Sequence, residues 1–338
     1  MKIWSTFRQL LIVSVLVTNS FAKFSLAMET LNESDSEIIW KKAKLAFADR
    51  DWENAARDLE TLLKKYPTHA EHLEARLRLG LSYLNQKEYK KSFKPLKYYI
   101  ASLKNEIPGH RARLALGTAY LENYEYALAS LNALEIINAN KKTKLPNEIY
   151  LESLLQRSWA QIGLNQILSA KKTLASYWSE KPKTAPGFET LDTLAQKLGI
   201  DSKILECNIG YPKTMTNESE VRGLYQKRGR CLLEALNSFK GLIEFGTEKW
   251  TESARNSITQ GIYVYDKKCK NPPDSPSKMN QDQKRFYRAE LKEIIAKDCE
   301  AFKTEIDQTL LSWETRAPEG KKYHLQAIRR LVSTLSSQ

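Results

Sequence analysis

The chain has 338 residues, with 42% apolar and 28% charged side chains. That is the composition of a folded globular protein in two domains, and it excludes a disordered or collagen-like chain. Only 13 glycines occur and the formal charge is +13, so the residues favour helix and the charge favours acidic partners.

Residues 1–22 have the pattern of a secretory signal. Lys2 and Arg8 precede the apolar run from Leu10 to Thr18, and small residues then offer cleavage after Ala22 or, alternatively, after Ala27. The run is about half the ~20 apolar residues a spanning helix requires, so no transmembrane segment is expected after cleavage. No Cys precedes Cys207, which leaves no lipidation cysteine at the cleavage site. The expectation is a periplasmic or secreted protein. Residues 28–190 and 191–338 each hold 25 basic and 20 acidic side chains, so the positive charge is spread and not gathered in a tail. Export turns this charge away from nucleic acid and toward acidic peptides, anionic envelope polymers or lipid surfaces.

From residue 36 to 183 the chain repeats, as 36–67, 73–104, 110–140 and 147–182. In the first repeat Trp40, Ala43 and Phe47 mark helix A, Asp49 to Asp51 the turn, and Ala55, Leu59 and Leu62 helix B, which Pro67 stops. The second has Leu79-Gly80, Tyr83, Tyr89, Ser92 and Leu96. The third has Leu116-Gly117 and Tyr120, followed after a shorter turn by Tyr124, Ala127, Leu131 and Leu134. The fourth keeps helix B in Ala170, Leu174 and Tyr177, but its helix A (Leu151, Leu155, Trp159, Ile162) lacks the Leu-Gly pair. Ala43, Gly80 and Gly117 recur at an interval of 37.

Small residues where two helices cross, large ones between them and a closing Pro resemble the tetratricopeptide repeat. Tyr66-Pro67-Thr68, Ala75, Leu79-Gly80, Tyr83 and Tyr89 are similar to the repeats of bacterial envelope proteins, among them an outer-membrane-assembly lipoprotein and the Tol–Pal coordinator. The resemblance implies an all-α helix-turn-helix solenoid that works as a protein-interaction scaffold in envelope assembly or maintenance. It also implies an inner groove lined from the A helices. Here those positions are Trp40, Lys41, Lys44 and Phe47, then Leu77, Arg78, Leu81 and Leu84, then Arg111, Leu114, Thr118 and Leu121. Cations beside apolar walls suit an extended peptide with carboxylates. Lys87, Lys90, Lys91, Lys94 and Lys97 make a second basic face on helix B of repeat two. Pro95 within that helix is expected to bend or break it.

Residues 184–217 read as a linker with one short helix, Leu191 to Leu198. Residues 218–338 read as a helical domain with long helices over 218–240, 247–268 and 282–313 and a last one over 321–335. All four cysteines lie beyond residue 206, none in a C-x-x-C pair, which points to disulfides in an oxidising compartment. Antiparallel packing of these helices would bring Cys207 to Cys269 and Cys231 to Cys299, and the C-terminal domain is expected to be stapled by those two bridges.

No constellation for chemistry emerges. His69 and His72 match no metal-ligand spacing and read as solvated. Ser275-x-x-Lys278 is a chance spacing in a Pro-rich loop. Glu218-Ser219 with Gly223-Leu224-Tyr225-Gln226 is similar to fragments of lytic transglycosylases, but the segment between them is far too short. A non-enzyme without cofactor or metal is expected, holding a protein or peptide partner; a module for an anionic polymer or lipid surface is the alternative.

Overall fold

A computed structural model describes residues 35–103, 105–182, 187–208, 218–271 and 279–336. The signal-like segment, and Ser275 and Lys278 with it, lie outside the described residues, as does the side chain of Glu218. Among the described residues there is no strand, and no helix is long and apolar enough to cross a membrane. The chain forms two compact units, divided between Ala185 and Pro186.

The first unit is four helical hairpins: α1 (Asp35–Ala48) with α2 (Trp52–Lys65), α3 (His72–Asn85) with α4 (Tyr89–Leu103), α5 (Ile107–Glu122) with α6 (Tyr126–Lys142), and α7 (Asn147–Gly163) with α8 (Ile167–Glu180). One backbone device closes all four. Arg50, Lys87, Tyr124 and Asn165, each in mid-turn, have φ of 63°, 64°, 62° and 58°. The next residue's N–H reaches back five positions, Asp51 to Ala46, Glu88 to Tyr83, Glu125 to Tyr120 and Gln166 to Gln161, at 2.8–2.9 Å. This left-handed helix ending satisfies carbonyls that would otherwise be orphaned. Asp51 also caps α2 through the Asn54 N–H.

The third turn is therefore as long as the others, and the expected shortening is not found. Helix B of repeat three buries Ala129, Ala133 and Ile136, a step of 37 from Ser92, Leu96 and Tyr99. Tyr124 and Leu131 lie outside. Their i, i+7 spacing copies that of a core stripe, which is why the pattern alone misplaces them. In repeat four Ser158 takes the place of the missing glycine: it is fully buried and its hydroxyl donates to Ala170 O at 3.3 Å. Pro95 is buried within α4, which is helical on both sides of it.

Each A helix packs on its own B helix and on the B helix before it; α1 also touches α3, α3 touches α5, and α5 touches α7. Neighbouring A helices thus form the inner wall and B helices the outer. Leu59, Leu62, Leu96, Leu121, Ile136, Leu151 and Leu155 fill the space between.

The second unit consists of α9 (Glu189–Asn208), α10 (Glu218–Phe245), α11 (Glu248–Lys270), α12 (Gln281–Glu314) and α13 (Lys322–Ser336), with a short 3-10 turn at Glu319–Lys321. Residues 189–208 are not a linker: α9 packs on α10 and α11, and Ile200, Ile204 and Cys207 join the same core as Phe239, Ile295, Leu310 and Ile328. Inside it Lys303 pairs with Asp266 at 2.7 Å and donates to Leu335 O.

The disulfides are Cys207–Cys231 and Cys269–Cys299, with Cα separations of 5.7 and 6.3 Å, not the expected Cys207–Cys269 and Cys231–Cys299. Two facts overturn that expectation. Helix α9 continues through Asn208 and lies antiparallel along α10, with Lys203 on Glu234 and Cys207 on Cys231. Gly229 faces Phe302 of α12, so Cys231, two residues and about 200° further around the helix, turns away from α12 toward α9. Cys299 is left to the end of α11, where Tyr265 and Cys269 pack on Phe302 and Cys299.

Candidate partner-binding surface

The inner wall of the first two repeats brings four predicted groove residues together. The Arg78 guanidinium lies 5.1 Å from the Phe47 ring and 5.6 Å from the Trp40 ring. Lys44 Nζ sits 5.2 Å from the same indole. Phe47 in turn stands edge-on to Trp52 at 5.2 Å. The 37-residue step explains the meeting: Arg78 and Lys44 occupy neighbouring rows of adjacent A helices, and each borrows an aromatic face. Trp40 is buried and Lys41 exposed.

One participant was missed. Glu74 Oε1 accepts from Arg78 Nε at 2.8 Å. Its signal was present in the sequence, since Glu four residues before Arg on a helix is a favourable pair. It belongs to a row, Glu37, Glu74, Arg111 and then Glu152, so the inner wall mixes charges and is less basic than the cations alone suggest.

Further along, the predicted residues do not form an open groove. Leu77 and Leu81 are half-buried against the core of repeats two and three. Leu114 is buried with Ile136, Leu145 and Ile149; Leu84 and Leu121 are buried too. Thr118 donates to Leu114 O at 3.1 Å, and Gln156 of α7 covers both, donating from Nε2 to Leu114 O at 2.9 Å and to Thr118 Oγ1 at 3.1 Å. Arg111 is half-buried. Next to Gln156, burial pushes the Glu152 carboxyl up to about 7.

His69 is a correction to the solvated reading. It is buried, accepts the Glu71 N–H on Nδ1 at 3.1 Å and donates from Nε2 to Glu37 at 3.0 Å. It ties the start of α1 to the turn between repeats. His72 is half-buried against His69 O.

The five lysines of the second basic face are all exposed. Lys91 pairs with Glu88 and lies over Tyr83, and Lys97 lies over Tyr120. In the second unit a polar cluster joins Glu248, Lys321, Tyr323 and buried His324. Its distances suit helix docking: Lys321 Nζ donates to Gly246 O at 2.8 Å, at the end of α10. Among the described residues, no group of His, Cys, Asp and Glu is placed to hold a metal ion.

Residues 37–69 match the tetratricopeptide repeat family. Among solved structures, a tetratricopeptide repeat protein from Parabacteroides merdae aligns with 77% of this chain and 98% of its own, at 12% identity and a TM-score of 0.41. No curated protein matches the chain. The family match covers the first hairpin and the same turn closes all four: the first unit is a helix-turn-helix solenoid that begins with a tetratricopeptide repeat, and the chain joins it to a disulfide-stapled helical domain.

Proposed function

We propose that this protein is an exported, non-catalytic adaptor of the bacterial periplasm. It holds an acidic, extended segment of a protein partner on the inner wall of its first two repeats, in the assembly or maintenance of the envelope. Tetratricopeptide arrays are interaction scaffolds, which is the coarse part of this reading. The observation that carries the rest is Arg78, seated between Trp40 and Phe47 with Lys44 beside it. Its Nε is engaged by Glu74, which fixes the plane of the guanidinium; the donors on its Nη atoms suit a carboxylate in forked geometry. The half-buried Phe47 ring gives apolar side chains of the same segment a wall to lie on. The export pattern of residues 1–22 and the envelope-type repeats support the compartment.

Crosslinking in intact envelopes followed by capture of the chain tests this. Charge reversal at Lys41, Lys44 and Arg78 should remove the partner, and Arg78→Lys should weaken capture about tenfold because the fork is lost while the charge stays. Binding should also persist at moderate salt, since apolar contact is not screened. A triple variant that retains every partner would sink the proposal.

A further inference from the structure

The outer wall carries an arrangement that the inner groove does not use. Helices α2, α4 and α6 begin at residues 52, 89 and 126, so each outer position has a counterpart exactly one repeat length away. At five of these positions repeat two has Lys87, Lys90, Lys91, Lys94 and Lys97, where repeat three has Tyr124, Ala127, Leu128, Leu131 and Leu134. Tyr124 is 78% exposed and Leu131 60%. In repeat four Leu168, the counterpart of Ala127, is 76% exposed. A cationic strip therefore runs beside an apolar strip on adjacent B helices.

The general solubility of an outer surface does not account for this. The counterparts of Leu131 in the first, second and fourth repeats are Arg57, Lys94 and Lys172, so repeat three departs from a charged norm. The departure leaves large apolar side chains in water at a cost the fold does not require. The occupant is constrained by shape: the depression at Lys87–Lys91 and Asn123 is shallow and open, and does not wrap an extended peptide. A broad, planar, negatively charged surface with an apolar layer beneath it meets both strips at once. That is the chemistry of a bilayer interface: ammonium groups on lipid phosphates, a tyrosine at headgroup level, leucines at the acyl boundary. The acidic groups nearby are Glu88, which pairs with Lys91, Glu60 of α2, which also acts on Lys91, and Glu122 and Glu125 around the turn that holds Tyr124. Five lysines against these leave the strip net positive.

We propose that the outer face of repeats two to four docks peripherally on an anionic phospholipid bilayer, with the α4 lysines on the phosphates and Tyr124, Leu131 and Leu168 in the interface. This surface is distinct from the Arg78 cluster, so each proposal stands or falls alone.

Flotation of the full chain with vesicles of phosphatidylcholine, alone or with about 30 mol% phosphatidylglycerol, tests it. Binding should require the anionic lipid. Lys90→Glu with Lys94→Glu should lower partitioning at least about tenfold. Leu131→Ser with Leu168→Ser, which leaves the charge unchanged, should lower it several-fold; circular dichroism should show both variants folded, since all four side chains are exposed. No flotation with phosphatidylglycerol at low salt overturns the proposal. So does vesicle binding that ignores the serine pair, which would make the face a site for acidic polymers only. Sedimentation showing a dimer that the serine pair abolishes, without vesicle binding, would instead make it a contact between copies.

Discussion

The carboxamide of Gln156 occupies the space above Gly117. A Cβ on that glycine would fall well inside contact distance of Gln156 Oε1, and 3.0 Å from Asn132 Nδ2. Gln156 bonds across to Leu114 O while Asn132 bonds to Arg113 O at 2.7 Å, so the glycine sits where α6 and α7 both clamp α5. Gly117→Ala is expected to destabilise the first unit by about 1–3 kcal/mol through overpacking. Urea unfolding checks this, and adding Gln156→Ser should recover part of the loss by vacating the space.

The Glu152 carboxyl supplies a pH signature. Its folded value, about 7, lies above the ordinary 4.5, with burial the chief cause. A raised acid binds more protons folded than unfolded, so its stability contribution is complete below pH 4.5 and is lost as pH rises toward 7. Glu152→Gln should therefore leave stability unchanged in acid and raise it by ~1–2 kcal/mol at pH 8. Equal melting shifts at both pH values would show that the carboxyl ionises freely.

The histidines act in the opposite sense. Burial lowers His110 and His324 below the usual 6.5, with Arg113 adding to the effect at His110 and Glu248 opposing it at His324. A depressed base contributes stability above the unfolded pKa, and that contribution declines as pH falls through the folded value. The second unit's melting temperature should drop below pH 6.5, and less steeply in His324→Gln.

Peptide mapping without reduction should recover Cys207 linked to Cys231 and Cys269 linked to Cys299. Each bridge closes a loop of 24 or 30 residues. Removing either pair as serines should cost about 2–4 kcal/mol. The loss should appear as earlier unfolding of the second unit.

The four left-handed turn residues are open to improvement. An L-residue in that region costs about 1–2 kcal/mol, part of which glycine returns as chain entropy. Arg50→Gly should thus stabilise the first hairpin by about 0.5–1 kcal/mol, whereas Asn165→Gly should be nearly neutral because asparagine tolerates the conformation. A calorimetric series across the two sites separates them.

Much of this was readable beforehand because a repeat constrains its own sequence. Ala43, Gly80 and Gly117 mark close helix crossings, where only small side chains fit, and they set the 37-residue step that α2, α4 and α6 obey. Trp40, Lys44, Phe47 and Arg78 were legible as neighbours for the same reason. Glu74 was missed although its spacing to Arg78 was available. Gln156 and Ser158 carried no signal, since each acts through a partner on another helix.

Periodicity by itself determined the helical hairpins of the first unit and the long helices of the second, because those follow from contacts within and between adjacent segments; the extent of α9 did not follow from it. Which side of α6 is buried is not given by local spacing, since Tyr124 and Leu131 have a core-like spacing yet face out; packing buries Ala129 and Ala133, where small side chains let the helices approach. The disulfide pairing was decided by packing too. It depends on the length of α9 and on which face of α10 each neighbour takes, and a residue list does not record the rotation of a helix about its axis.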